Sequence, residues 1–150
     1  MPMPYNYRHA SAEWRQFLDI AKDEMALDSD NSTFTAIEGV MHCFRNRLTL
    51  DQALRFADLL PAVPCAIFVA NWHPCPPAPW GGRADQIAEA KALRPHHNLT
   101  PATCIEATAI GLRATVPAPD FDHLLAAIGT GAQDFWRVPP AKLRPVTFPG

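Results

Sequence analysis

The sequence predicts an all-α protein: a helical bundle of about eight helices, built as two quasi-repeated halves packed on each other. Three observations predict it. Apolar residues recur at helical spacing in one segment after another. Cap and breaker residues separate those segments. And the chain aligns with itself without a gap when shifted by 68 residues.

The elements follow in order. Ser11 can cap a first helix, on which Trp14, Phe17, Leu18, Ala21 and Met25 form an apolar stripe. The stretch 27–31, LDSDN, reads as a turn, and a second helix starts near Ser32. Its stripe is Phe34, Ile37, Met41, Phe44 and Leu48, spaced 3, 4, 3, 4, the seam of packed helices. Thr49 and Gln52 have capping-box spacing and start a third helix carrying Leu54, Phe56, Ala57 and Leu60. A fourth helix is expected from Pro64 to Trp72, with Pro64 tolerated in the first turn.

The stretch NWHPCPPAPWGG (71–82) holds four prolines and two glycines and supports neither helix nor central strand. It is the connector between the halves. An Ala-rich helix follows near 84–93. Thr100-Pro101 signals another start, ahead of the stripe Ile105, Ala109, Leu112 and Val116. PAPD (117–120) begins the next helix, with Phe121, Leu124, Leu125 and Ile128 on one face. Thr130 and Gln133 repeat the capping-box spacing before Phe135, Trp136 and Val138. The expected organisation is a single domain over 1–150. Its first half is 11–72, its connector 73–83, its second half 84–138, and 139–150 is a loose tail.

The 68-residue shift lays AIEGVMHCFRNRL (36–48) on CIEATAIGLRATV (104–116). Ile37 meets Ile105, Phe44 meets Leu112, Phe56 meets Leu124 and Phe68 meets Trp136. Only four of the aligned residues are identical: Thr35/Thr103, Ile37/Ile105, Glu38/Glu106 and Arg45/Arg113. Chance gives roughly two or three at average residue frequencies, so the register of stripes and breaks carries the case. Glu and Arg in each copy lie seven residues apart, about 10 Å of rise, too far for an intrahelical pair. Reciprocal pairing across the halves, Glu38 with Arg113 and Arg45 with Glu106, is the expectation that a pseudo-twofold suggests.

Charge and composition exclude several functions. The net charge is −2 and the sequence pI about 6.3, unlike a domain made for nucleic acid. Arg45, Arg47 and Arg55 form a short cluster, read as a solvated face. The longest apolar run, 62–70, is broken by Pro64 and falls short of the roughly 18 residues of a membrane span. No apolar leader precedes Trp14. The four cysteines are scattered and read as reduced thiols of a cytoplasmic protein.

Catalytic motifs are sparse. Ser11, Ser29 and Ser32 sit at caps or turns, none in G-x-S-x-G. The cysteines form no C-x-x-C, and no glycine-rich phosphate loop is present. His73, Cys75, His96 and His97 are the one set that could assemble a metal or thiol centre; adjacent His96 and His97 point about 100° apart on a helix. The connector is the best candidate binding surface, with Trp72, His73, Trp80 and Arg83 along it and His97 beyond. The competing reading is that both tryptophans pin the connector to the core.

The opening MPMPYNYRHAS, the helix AIEGVMHCFRNRLTLDQALRFADLLP, the segment AIFVANW and the later HHNL together resemble the bacterial domain-of-unknown-function family 2267. The resemblance covers nearly the whole chain. It implies an all-helical fold of two similar halves and brings no established activity, substrate, cofactor or catalytic residue. Members read like LPPVLRALFVADW where this chain has LPAVPCAIFVANW. Pro64 and Cys65 therefore stand where Leu and Arg are usual, and any role of that Arg does not carry over.

The functional expectation is a non-enzymatic binding or regulatory module without a cofactor. It would contact a protein or small-molecule partner through a groove between the halves, and the sequence leaves a homodimer open. The alternative is a metal- or thiol-dependent enzyme or sensor centred on His73, Cys75 and His97. Neither nucleic acid nor membrane is expected as a partner.

Overall fold

A computed structural model of the chain describes residues 3–93 and 99–146, so the predicted site residue His97, with His96, lies outside the described residues. Within them the chain is helical and has no strand. The helices are α1 (Tyr5–Arg8), α2 (Ala10–Met25), α3 (Asp30–Arg45), α4 (Leu50–Leu59), α5 (Ala62–Val69), α6 (Arg83–Lys91), α7 (Cys104–Arg113), α8 (Ala118–Ile128) and α9 (Thr130–Phe135). A 3-10 turn (Pro140–Lys142) follows.

Most stripes face the core. Phe17, Leu18, Ala21 and Met25 of α2 are buried, as are Ile37, Met41 and Phe44 of α3. α2 stops where Ala26 takes a left-handed conformation (φ 55°), and α3 starts two residues earlier than the stripe implied, because the Ser29 hydroxyl accepts from the Ser32 N–H. α4 opens with the expected reciprocal capping box of Thr49 and Gln52. Leu54 departs from expectation: it faces solvent, being 51% exposed. α5 ends at Val69 rather than Trp72, because Asn71 turns left-handed (φ 52°).

Other boundaries also shift. α2 starts at Ala10 with no side-chain cap from Ser11. The Thr100-Pro101 signal opens a turn, in which the Cys104 N–H donates to the Pro101 carbonyl, and α7 begins only at Cys104. α9 lacks the capping box expected of Thr130 and Gln133; Gly129, at φ 135°, makes the sharp junction with α8 instead. The tail to residue 146 is tethered. Lys142 pairs with Glu106, and Arg144 with Asp23 and Glu24 of α2. These pairs face solvent and each adds little.

α2 packs along α7, and α3 runs between α2, α5, α6 and α7. At the centre lies a ring cluster. Trp136, fully buried, has ring centroids of Phe135, Phe44, Phe56 and Phe121 at 5.0, 5.2, 5.8 and 6.1 Å. Phe68 joins through Phe56 at 5.0 Å. Offset and edge-on geometries of this kind add to the gain from burial. Element bounds recur at the 68-residue interval: α3 and α7 end on Arg45 and Arg113, α4 and α8 begin on Leu50 and Ala118, and α5 and α9 begin on Ala62 and Thr130.

Candidate functional site

A helix C-terminus leaves carbonyls without intrahelical partners, and this chain meets them with arginine. Arg45 Nη1 donates to the carbonyls of Phe68 and Ala70 at 2.8 and 2.9 Å, closing the end of α5. Arg113 Nε donates to the Trp136 carbonyl at 2.8 Å, closing the end of α9. The Arg45–Phe68 and Arg113–Trp136 bonds each span 23 residues, so the echoed arginines do the same work at the ends of α5 and α9. That corrects the expectation of reciprocal pairs. Among the described residues no ion pair joins Glu38 to Arg113 or Arg45 to Glu106; Arg113 pairs with Asp122 and Glu106 with Lys142.

The solvated arginine face is corrected too. Arg45 and Arg47 are buried, at 7% and 6% exposure. Arg47 bonds the carbonyls of Trp80 and Cys43 and pairs with Glu89 at 2.8 Å. The aliphatic stems of these arginines pack inward while their planar heads meet backbone oxygens, which lysine would do less well.

The connector is pinned at both ends. Trp72 is half-buried, with the Arg45 guanidinium 5.5 Å from its ring centroid. Trp80 sits against Phe44 and Phe135, centroids 5.9 and 6.5 Å away, and over Gly131, where a side chain would collide with the indole. The Ala78 N–H donates to the Asn46 carbonyl at 2.8 Å. Arg83 donates to the carbonyls of Asp134 and Phe135 at the end of α9. His73 and Cys75 remain exposed on the strip between the tryptophans. The predicted residues Trp72, His73, Trp80 and Arg83 are thus strung along the connector, and they do not converge on one cavity.

What does converge is a groove of about 400 Å³ between α3 and α6, with Asn71 also in its lining. Glu38, His42 and Arg45 fall at i, i+4 and i+7 on α3, so they share a face and form one wall. Glu89 stands opposite on α6. The groove floor is tight because α3 and α6 meet at Gly39: a Cβ there would lie 2.2 Å from the Ala90 carbonyl oxygen.

The wall offers donor and acceptor together. His42 Nε2 lies 2.9 Å from the Ile67 carbonyl, which can only accept, so Nε2 carries the proton. Burial pushes the His42 pKa down, which favours neutral imidazole and leaves Nδ1 an acceptor. Arg45 is the donor. Its buried Nε has no hydrogen-bond partner in the protein, and burial pulls the guanidinium below its usual range without removing its charge at neutral pH.

Thiol chemistry is poorly served at three of the four cysteines. Burial pushes Cys43 up to about 12 and also raises Cys65 and Cys104. All four cysteines are free. Among the described residues no three His, Cys, Asp or Glu side chains converge to hold a metal ion. No described helix is long and apolar enough to cross a membrane.

The sequence reading missed Glu38, His42 and Asn71 as neighbours. The i, i+4, i+7 spacing of Glu38, His42 and Arg45 was the available signal; Asn71 arrives through the end of α5, which no local pattern marks. No curated protein matches the chain. The family model described as "Uncharacterized conserved protein (DUF2267)" matches residues 14–135, and the chain belongs to that family.

Proposed function

We propose that the protein is a non-enzymatic binding module that takes a small polar molecule in the α3/α6 groove, between the two halves. One observation carries the reading: Arg45 lines that groove, buried, with a guanidinium N–H that no protein atom satisfies. A buried donor left without a partner is unfavourable by about 1–3 kcal/mol, and a bound acceptor relieves it. The acceptors beside it on the same wall are Glu38 and His42 Nδ1, and Glu89 stands opposite. The ligand therefore carries a carboxylate or carbonyl oxygen for Arg45 and an N–H or O–H donor for Glu38 and His42. Small zwitterions have both.

The raised thiol pKa values argue against cysteine catalysis at Cys43, Cys65 and Cys104, and a reduced state of the four free cysteines fits a cytoplasmic, bacterial setting. The same proposal takes the chain as a doubled helical unit. Its support is the recurrence of element bounds and of the Arg45–Phe68 and Arg113–Trp136 carbonyl bonds at one interval.

The test is heteronuclear NMR of labelled protein titrated with a panel of small zwitterions and simple carboxylates. Shifts should cluster at Glu38, His42, Asn71 and Glu89, and Glu38→Gln should weaken zwitterions more than carboxylates. Shifts scattered away from the groove, or none, would refute the reading.

A further inference from the structure

We infer that a second cavity, between α2, the end of α4 and the α7–α8 turn, is a binding site for a small organic ammonium. Its volume is about 250 Å³, and Tyr5, Glu13, Asp58, Thr115 and Asp120 are among its lining residues. No lysine, arginine or histidine lines it among the described residues.

Glu13 is the informative group. It stands in the first turn of α2, is only 8% exposed, and its buried Oε1 has no hydrogen-bond partner. A buried, unsatisfied carboxyl oxygen demands an explanation. Burial holds its pKa above the usual carboxylate value, with nearby His9 pulling the other way. His9 stacks on Tyr5, centroids 4.2 Å apart, and is not part of the lining.

Among the surroundings the carboxylates and two helix ends favour positive charge, while nearby His9 and the starts of α5 and α8, beside lining Pro61 and Pro117, oppose it. Asp58 and Asp120 are exposed carboxylates at the mouth. Two helices end there: α4 at Leu59, and α7 at Arg113, two residues before Thr115. Helix C-termini carry partial negative charge, although the Ala57, Ile110, Gly111 and Leu112 carbonyls already accept from neighbouring groups. The Tyr5 ring supplies an aromatic face of the kind that attracts ammonium groups. A metal ion is not the fit, because the carboxylates do not converge closely enough to hold one. An alkylammonium, with its charge on a longer body and several N–H donors, can reach Glu13 while its chain meets the apolar wall of Leu60 and Val116.

Calorimetric titration of the full chain at low salt with butylamine and putrescine, against neutral butanol, tests this. Both amines should bind saturably and butanol should not. Glu13→Gln, which keeps the shape, should weaken amine binding by about tenfold or more, the scale of one lost charge-assisted hydrogen bond. Carbon-detected NMR of the Glu13 carboxyl in the unaltered protein gives a second reading that needs no variant. Bound cation favours the ionised form, so putrescine should move the Glu13 titration midpoint down. Absence of saturable amine binding, equal affinity in Glu13→Gln, or an unmoved midpoint would each overturn the assignment.

Discussion

Replacing Gly39 with alanine tests how tightly the groove floor is drawn. The added methyl would lie 2.2 Å from the Ala90 carbonyl oxygen and 3.1 Å from its carbon. Both are backbone atoms, so no rotamer change relieves the collision. α6 must retreat by about 1 Å to restore ordinary contact, a gap that forfeits a quarter to a half of each dispersion contact along the seam. The retreat also stretches the Arg47–Glu89 pair and the Cys43–Gln86 contact. Overpacking of this kind is unfavourable by about 1–3 kcal/mol. Alanine's helix propensity returns about 1 kcal/mol. Because the obstacle is backbone, the upper part of the range applies, and Gly39→Ala should lose about 1–2 kcal/mol net. Gly111→Ala is the internal comparison. There the nearest atom, the Phe17 carbonyl oxygen, lies at 3.3 Å, and a small adjustment suffices. That variant should remain within about 1 kcal/mol of the parent, the propensity gain offsetting mild crowding. Urea unfolding of the three proteins gives the comparison. A Gly39→Ala protein as stable as the parent, with an unchanged denaturant slope, would refute the close α3–α6 approach.

Arg45→Ala should lose about 3 kcal/mol, since it strips two carbonyls at the end of α5 of a charged donor. Arg113→Ala strips one carbonyl and an exposed pair and should lose less, about 1–2 kcal/mol; thermal unfolding that ranks them the other way would contradict the capping assignment. Alkylation with iodoacetamide at pH 8, followed by mass spectrometry, should label exposed Cys75 first and Cys43 and Cys104 last, because burial protects both and holds both thiols protonated. Early labelling of Cys43 would mean that α3 and α6 separate readily.

The core was legible because it depends on spacing within helices. Ile37, Met41 and Phe44 announce themselves by period, and Thr49 with Gln52 is a local signal that folded as read. Leu54 misled because one leucine on an amphipathic helix says nothing about whether a neighbour covers it. The arginines were illegible for a different reason. Arg45 and Arg47 look like a charge run, and their burial depends on carbonyls from α5 and the connector that come from more than twenty residues away. The connector's prolines marked the break correctly. Whether Trp72 and Trp80 faced solvent or core was a tertiary matter, settled by Arg45 on one side and by Phe44, Phe135 and the bare Gly131 on the other. The groove wall needed only the α3 spacing to be suspected, but its opposing acceptor, Glu89, needed the fold.

The ring cluster draws Phe44, Phe56 and Phe68 from before the connector and Phe121, Phe135 and Trp136 from after it. The molecule therefore has no fault line where its chain is thinnest. A protease cut among the exposed prolines at 74–77 would sever the polypeptide and leave the aromatic contacts in place. The two fragments should stay together as a nicked native protein and come apart in one concerted step, while either fragment alone would present an uncovered aromatic face to water.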